Sequence, residues 1–193
     1  MKNQEYRLAS GLELTQPKHL PGKSIFVISD LHLNHTNIIS YCKRPFDTVE
    51  EMNTVLINNW NCTVKPTDLV FFLGDMAMGN SDGFIDKLNG DIFFLKGNHD
   101  KSMDPGSLHD SIFFEHRGIK FLFIHDPMDA INVDDEWIIH GHHHNNFPRR
   151  FPFFNPEMKR VNVSVEMTQY TPVSLDYICN LIKMKNGKKI ISL

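Results

Sequence analysis

Four short runs of apolar residues stand out along the chain, and each is rich in Phe, Ile or Val. Their length and their lack of polar alternation predict strands that are buried on both faces. Strands of this kind are typical of parallel sheets, because such sheets are covered on both sides by other layers. The four runs are SIFVIS at 24–29, LVFFL at 69–73, DIFFLK at 91–96 and IKFLFI at 119–124.

Helical patterns separate the first three of these runs. Residues 47–61 place apolar side chains at helical spacing, and Thr48 with Glu51 forms a capping-box pattern, so we expect a helix here. Residues 81–90 predict a shorter helix that Ser81 caps and Gly90 ends. Strands that alternate with helices predict a layered α/β fold, with central β-sheets flanked by helices and ligands bound at the carboxyl ends of the strands.

The two ends of the chain give weaker patterns. Residues 1–22, with two prolines and little periodicity, predict an N-terminal extension before a single domain at 23–193. Residues 146–160 hold three prolines and four phenylalanines, which predicts a loop. Three further elements are predicted near the C-terminus: a strand at 161–167, a short helix at 174–182 and a final strand at 188–193.

Composition places the 193 residues among globular proteins, since 41% are hydrophobic and 22% are charged. The longest apolar run is about five residues, far below the roughly 20 needed to cross a bilayer. The N-terminus lacks the apolar block of a secretory signal, so we expect a cytoplasmic protein with no membrane contact. The net charge of −3 and the scattered basic residues argue against binding of extended nucleic acid. Three widely spaced cysteines, Cys42, Cys62 and Cys179, are expected to be reduced thiols without a role.

Every predicted strand is followed by Asp, Asn or His. Because the carboxyl ends of such strands meet at one edge of a sheet, these side chains are expected to converge on one pocket. Carboxylate, imidazole and carboxamide ligands suit divalent ions such as Mn, Fe, Zn, Co or Ni, and none of the cysteines is close enough in sequence to join. The blocks are DLH at 30–32, GD at 74–75, GNHD at 97–100, His125, and HGHHH at 140–144 after the apolar WII.

Spacing within two blocks strengthens the prediction of a metal site. In an extended segment alternate residues face the same side, so Asp30 and His32 can bind one ion. The same holds for His142 and His144, which leaves His143 turned away. More than six candidate ligands are too many for one tetrahedral ion, so two ions that share a carboxylate are the economical assignment.

Asp75 is the carboxylate that we expect to bridge the two ions. It comes from the short GD block, and Gly74 precedes it directly. Gly141 likewise lies beside candidate ligands. A missing side chain at these two positions lets the backbone approach the metals closely.

In their order, the five blocks resemble the calcineurin-like metallophosphoesterase family, whose signature is DxH, GD, GNH with an acidic residue after it, a lone His after a strand, and GHxH. The resemblance spans residues 30–144 and implies a hydrolase of phosphoric esters with two divalent metal ions. It assigns Asp30, His32 and His144 to the first ion, Asn98, His125 and His142 to the second, and Asp75 to both.

His99 is the catalytic residue that the resemblance implies, with Asp100 as its orienting partner. In the family it contacts the scissile phosphate and assists the leaving group. Two ions roughly 3.5 to 4 Å apart can activate a water and clamp the phosphate oxygens, so no protein nucleophile is needed. Protonation of the leaving oxygen by a His adds a factor of about 10² to 10⁴. We therefore expect hydrolysis of a small phosphodiester or nucleotide-like phosphate ester.

Alternative functions remain open at this point. The chain could be a phosphomonoesterase or a nuclease of the same family, or a catalytically inactive scaffold with the same fold. The presence of His99 and of all seven predicted ligands argues against the scaffold. Met78 stands where many family members have a further acidic or Asn residue, so substrate preference cannot be carried over from that position.

Several other residues are weaker candidates for substrate contacts. His35 and Lys101 lie close in sequence to His32 and His99, and Arg44 is a candidate because Arg side chains match phosphate geometry well. For Arg44, as for Arg149 and Arg150, a solvated surface position is the simpler interpretation. Tyr41 and Phe147 could stack on a base, although a packing role is the simpler interpretation for both. We expect surface or supporting roles for His35, His140 and His143, and no functional role for His19, His109 and His116.

Overall fold

Two five-stranded β-sheets form the centre of this computed structural model, which describes residues 6–7, 13–14, 23–101, 103–131 and 133–187. The α-helices are α1 (Thr36–Tyr41), α2 (Val49–Thr63), α3 (Asp82–Ile85) and α4 (Leu175–Gly187). The strands are β1 (Tyr6–Arg7), β2 (Glu13–Leu14), β3 (Ile25–Ile28), β4 (Leu69–Phe72), β5 (Asp91–Leu95), β6 (Leu108–His109), β7 (Ser111–His116), β8 (Ile119–Ile124), β9 (Trp137–His140), β10 (Phe154–Asn155), β11 (Arg160–Asn162) and β12 (Val173–Ser174).

The first sheet has the strand order β12-β3-β4-β5-β6. Strands β3 to β6 run parallel, and β12 pairs antiparallel with β3 at one edge. Val27 and Phe71 face the second sheet, whereas Phe26 and Phe72 face a separate cluster built with α1 and α2. The prediction of burial on both faces is therefore confirmed for β3 and β4, whereas it is wrong for β5, which is only partly buried.

The second sheet has the order β10-β11-β9-β8-β7. Strands β8, β9 and β11 are parallel, and β7 forms an antiparallel hairpin with β8 that the sequence analysis missed. Arg117 and Gly118 make the hairpin turn with φ of 52° and 76°, the left-handed geometry that matches the twist of hairpin strands. Phe121 and Phe123 point inward to the shared core, and Leu122 packs in a small cluster on the outer face.

Helix α2 begins as the sequence predicts. The backbone N–H of Glu51 donates to Thr48 Oγ1 at 3.1 Å, and the backbone N–H of Asp47 donates to Glu51 Oε2 at 2.8 Å. Met52 and Trp60 then pack on the outer face of the first sheet. The helix predicted to end at Gly90 is shorter, since α3 ends at Ile85, and no side-chain hydrogen bond to Ser81 caps it.

The C-terminal predictions have mixed outcomes. The short helix predicted at 174–182 is α4, which continues to Gly187 and packs Leu175, Ile178 and Ile182 into the core. The strand predicted at 161–167 is only partly formed, because β11 ends at Asn162 and residues 165–167 are a 3₁₀ helix. The final strand predicted at 188–193 lies outside the described residues. Within the part of the chain that the structure describes, no helix is long and apolar enough to span a membrane.

Candidate metal centre

Five loops meet where the carboxyl ends of strands from both sheets come together. The loops follow β3, β4 and β5 in the first sheet and β8 and β9 in the second. All seven predicted metal ligands lie in these loops or next to them, and most are buried. The convergence that the sequence predicted is thus present, with ligands supplied by two facing sheets. The seven are Asp30, His32, Asp75, Asn98, His125, His142 and His144.

Five of these residues lie on left-handed backbone. Their φ values are 62° at Asp30, 49° at His32, 63° at Asp75, 68° at His142 and 49° at His144. A non-glycine residue in this region costs about 1–3 kcal/mol and persists where the surrounding structure imposes it, as at functional sites. The prediction that the DLH and HHH segments are extended is therefore wrong. Asp30 and His32 do meet in one group, whereas His142 and His144 lie in different groups.

One group of candidate ligands consists of Asp30, His32 and His144. Their ligand atoms lie within 4.8 Å of one another, and all three residues are buried. His144 Nε2 is 3.7 Å from Asp30 Oδ1. The backbone N–H of His142 donates to the Asp30 carboxylate at 3.1 Å and fixes its orientation. The group could hold one cation.

A second group lies on the other side of Asp75. Asn98 Oδ1 is 3.1 Å from both His125 Nε2 and His142 Nδ1. Asp75 Oδ2 is 3.5 Å from His125 Nε2 and 3.3 Å from His32 Nε2. One oxygen of Asp75 therefore reaches a nitrogen from each group.

The charges at the centre favour a cation. Burial opposes ionisation of Asp75, but the neighbouring imidazoles of His32 and His125 outweigh it and lower the pKa of Asp75 to about 2. Burial also opposes protonation of His144, yet Asp30, Cys42 and Glu166 raise the pKa of His144 to about 11. Without a bound metal, the raised pKa keeps His144 protonated. A divalent ion must therefore displace a proton from this imidazole in order to bind it.

Two of the histidines are oriented by groups outside the centre. His125 Nδ1 donates to the carbonyl oxygen of Leu73 at 2.7 Å, which leaves Nε2 free to bind a metal. His142 Nε2 lies 3.4 Å from Asp126 Oδ2, which leaves Nδ1 directed at Asn98 and His125. Such contacts hold the ring orientation and the tautomer that a metal ligand needs.

Glu166 orients His144 and was missed by the sequence analysis. Both of its oxygens lie 3.1 Å from His144 Nδ1, so Nε2 is turned toward Asp30. Glu166 in turn pairs with Arg44, whose Nη2 is 2.7 Å from Glu166 Oε1. No local motif marks Glu166, because its partners are far away in sequence.

Arg44 is buried, so both the predicted substrate contact and the solvated surface position are wrong. The residue is 4% exposed, and its guanidinium donates to the backbone carbonyls of Asp30 and Leu31 at 2.8 Å each. These hydrogen bonds stabilise the left-handed backbone of the DLH loop. Burial of the Arg44 charge is compensated by these two carbonyl oxygens and by the carboxylate of Glu166.

The donor set fits divalent metal ions. His32 Nε2 is buried and, among the described residues, makes no hydrogen bond, although it faces Asp75. A metal ion would satisfy this nitrogen and the converging carboxylates together. Carboxylate, imidazole and carboxamide donors suit borderline or harder ions. The expected exclusion of cysteine needs one correction, because the Cys42 thiol lies within 4.8 Å of the ligand atoms of His144 and Glu166.

Three glycines leave room for this arrangement. A Cβ at Gly74, which has φ of 98°, would lie 2.7 Å from the Gly97 backbone and from His125 Nδ1. A Cβ at Gly97 would collide with the Asp75 carboxylate, and one at Gly141 with Asp30 and Ser29. The predicted close approach of the backbone at Gly74 and Gly141 is present.

His99 lies at the mouth of the centre. Its backbone N–H donates to Asp75 Oδ1 at 2.8 Å, its side chain is exposed, and its ring centroid is 5.1 Å from that of His32. The ring centroid of His35, which is half-buried, is 6.0 Å from that of His99. Lys101 is exposed nearby. Substrate contacts by His35 and Lys101 stay predictions.

Asp100 has contacts that differ from the predicted one. Its carboxylate accepts backbone N–H groups from Asp75 at 2.7 Å, Met76 at 2.8 Å and Gly97 at 2.9 Å. It therefore ties the loop that carries Asp75 to the loop that carries His99. The expected contact with the His99 ring stays a prediction.

Comparisons with known proteins find relatives in sequence and in fold. No family model matches the chain. The uncharacterized protein MJ1445 of Methanocaldococcus jannaschii is 47% identical over 167 residues, which cover 83% of this chain and 92% of that protein. The crystal structure of AQ665, a protein of unknown function from Aquifex aeolicus, has the same fold, with a TM-score of 0.63 and 24% identity over 83% of this chain and 100% of that one.

The chain is less similar to the crystal structure of a conserved uncharacterized protein of Streptococcus pneumoniae TIGR4, which is described as a predicted phosphoesterase. The TM-score is 0.40 at 18% identity, and the match covers 74% of this chain and 71% of that one. That score is too low to support an argument. The five motifs at the edge of the two sheets resemble the signature of the calcineurin-like metallophosphoesterases. The chain belongs to the family of MJ1445.

Proposed function

We propose that this protein is a phosphoesterase that uses two divalent metal ions to hydrolyse a small phosphodiester or nucleotide-like phosphate ester. The observation that carries the proposal is the position of Asp75 Oδ2, 3.3 Å from His32 Nε2 and 3.5 Å from His125 Nε2. A carboxylate between two nitrogen ligands of different groups is what a shared ligand of two neighbouring ions requires.

The residues that would hold the ions divide as the two groups do. When bound, two ions supply a water acidic enough to attack near neutral pH and positive charge for the phosphate oxygens. The protein keeps the ligands in place through carboxylates and backbone groups beneath them, among them Glu166 and Asp100. The proposed ligands are Asp30, His32 and His144 for one ion, Asn98, His125 and His142 for the other, and Asp75 for both.

His99 is the proposed proton donor for the leaving oxygen. The hydrogen bond between its backbone N–H and Asp75 Oδ1 ties its position to the proposed bridging ligand. Its exposed side chain can reach a substrate that enters from solvent. A positioned imidazole contributes about 10² to 10⁴ in rate when it transfers a proton in the transition state.

A cleft beside the centre supports a small substrate. It has a volume of about 460 Å³, and Asn98, His125 and His142 lie on its wall. This volume falls within the range of about 300–1,000 Å³ that is typical of small-molecule sites. Three aspartates, Asp110, Asp126 and Asp129, and one lysine, Lys96, also line it. Their negative balance disfavours an extended polyanion such as nucleic acid.

Hydrolysis of two synthetic esters tests the proposal. Metal-stripped protein is resupplied with Mn, Ni, Zn or Mg and assayed on bis-p-nitrophenyl phosphate and p-nitrophenyl phosphate. We expect metal-dependent turnover, with the diester preferred, and a loss of about a hundredfold in His99→Ala. His109→Ala is a matched control, because His109 lies in β6 at the edge of the first sheet and is not among the residues that line the cleft.

Three outcomes would contradict the proposal in different ways. Metal binding without cleavage of either ester or of a nucleotide panel would favour a scaffold. Activity only on phosphoproteins would replace the substrate class. Binding of DNA that falls steeply as salt rises, with cleavage, would favour a nuclease.

A further inference from the structure

A second, smaller pocket adjoins the metal centre on the side of His143. Its volume is about 190 Å³, below the usual range for a complete small-molecule site. It therefore has room for one part of a ligand. We call it the ring pocket, and its lining residues are Met128, His143, Phe147, Arg150 and Phe151.

Flat π surfaces dominate the walls of the ring pocket. The ring of His143 stacks on that of Phe151, with centroids 3.7 Å apart and planes 15° apart. Phe147 meets His143 edge-on at 6.4 Å. The guanidinium of Arg150 lies over Phe151 at 5.2 Å, and its Nη2 is 3.8 Å from Met128 Sδ. Such a wall binds flat rings by stacking and by contact with the cation.

Two of the lining side chains are more exposed than packing alone explains. Phe147 is 59% exposed and Met128 is 55% exposed. The prediction that Phe147 serves packing is therefore not supported, and its ring is available to a ligand. The neighbouring Phe151, at 3% exposed, is the side chain that packs here.

His143 connects the ring pocket to the metal centre. Its ring centroid is 5.1 Å from that of His142, a proposed metal ligand. Both histidines also face Asp126, at 3.4 Å from His142 and 3.7 Å from His143. His143 therefore lies between the ring pocket and His142, so the pocket is next to the proposed metal ligands.

We propose that the ring pocket binds an aromatic or heteroaromatic ring carried by one substituent of the phosphate ester, an inference that rests on the proposed function. Stacking on Phe147 accepts any nucleobase or aryl ring, because every such ring has a π face. The carboxylate of Asp126 next to the pocket opposes a second phosphate there. The pocket thereby makes the enzyme selective for aryl or nucleoside esters over alkyl esters.

Binding of non-hydrolysable phosphonates tests this proposal without relying on turnover. Phenylphosphonate, cyclohexylphosphonate and methylphosphonate are titrated by calorimetry into the manganese-loaded protein. We expect phenylphosphonate to bind at least about fivefold more tightly than methylphosphonate, the lower end of what one ring stack contributes. Cyclohexylphosphonate, which matches the apolar size without a flat face, is expected to gain less.

Three variants assign the effect to the ring pocket. Phe147→Ala is expected to remove the preference for phenylphosphonate and leave the affinity for methylphosphonate unchanged, whereas Phe147→Trp keeps the preference. Tyr177→Ala in α4 is the matched control, since Tyr177 is an aromatic residue that is 52% exposed and packs near Phe153. It should retain the preference.

The outcomes separate this proposal from the proposed function. Equal binding of phenylphosphonate and methylphosphonate to the unaltered protein would overturn the ring pocket and leave the metal-bound phosphate site standing. A preference that survives in Phe147→Ala would also overturn it. If manganese binds and neither phosphonate does, both proposals fall.

Discussion

The replacement Glu166→Gln tests whether the buried carboxylate supports the metal centre. Glutamine keeps the volume and one acceptor oxygen but removes the charge that faces His144 Nδ1 and Arg44. The side chains of Arg44 and Glu166 are only 0% and 1% exposed, so solvent cannot replace the lost partner. Leaving one member of a buried ion pair without its counter-charge costs about 3–5 kcal/mol.

The pKa of Glu166 gives a second route to this magnitude. Burial opposes its ionisation, but the hydrogen bond from His144 and the charge of Arg44 lower the pKa of Glu166 from 4.5 to about 2. Such a shift corresponds to about 3 kcal/mol of stability. Because the folded pKa is depressed, this stability is fully present above pH 4.5 and is lost as the pH falls through 2. The pKa of His144 is shifted further, but Asp30 contributes to that shift as well as Glu166. The pKa of Glu166 is therefore the better measure of what its own charge contributes to stability.

Two measurements check the prediction. Urea unfolding of the metal-free protein at pH 7 should show a loss of about 3 kcal/mol in Glu166→Gln, and calorimetry should show manganese binding weaker by about 10- to 100-fold. Glu157→Gln, at an exposed position, serves as the control. A variant with unchanged stability and an affinity within twofold of the parent would refute the role assigned to Glu166.

Three further predictions concern other parts of the centre. Gly141→Ala should weaken manganese binding at least about tenfold, because the new Cβ would displace Ser29 and Asp30. Calorimetry measures this affinity. Gly83→Ala is the control, since a Cβ at Gly83 meets nothing within 4 Å. Asp100→Asn should lower the free energy of unfolding by about 2–3 kcal/mol, because it loses charged acceptors for three backbone N–H groups, and an unchanged denaturant midpoint would contradict this. Burial lowers the pKa of His140 to about 4, so its contribution to stability is present above pH 6.5 and is lost as the pH falls through 4. Unfolding of the metal-free protein should therefore cost about 3 kcal/mol less at pH 4 than at pH 7 from this residue alone, and His140→Gln should show a correspondingly smaller fall.

The sequence alone determined the elements and motifs that depend on neighbours along the chain. Strands β3 and β4 and the start of α2 were predicted because apolar runs and the Thr48 cap act over a few residues. The meeting of the five motifs at one edge was also predictable, since each motif directly follows a strand and strands of this kind end together. Asp75 Oδ2 lies within 3.5 Å of His32 and His125, which the resemblance assigns to different ions.

Only the tertiary structure decided how the ligands are held. The pair of Arg44 and Glu166 joins residues 122 positions apart, and no local pattern encodes such a contact. Three other features could not be predicted for the same reason: the division of the ligands between two sheets, the left-handed backbone at Asp30 and the exposure of Phe147. Burial and partner geometry are properties of the packed chain, so an arginine that resembles a substrate contact in the sequence can instead lie inside the protein and support the loop that carries proposed metal ligands.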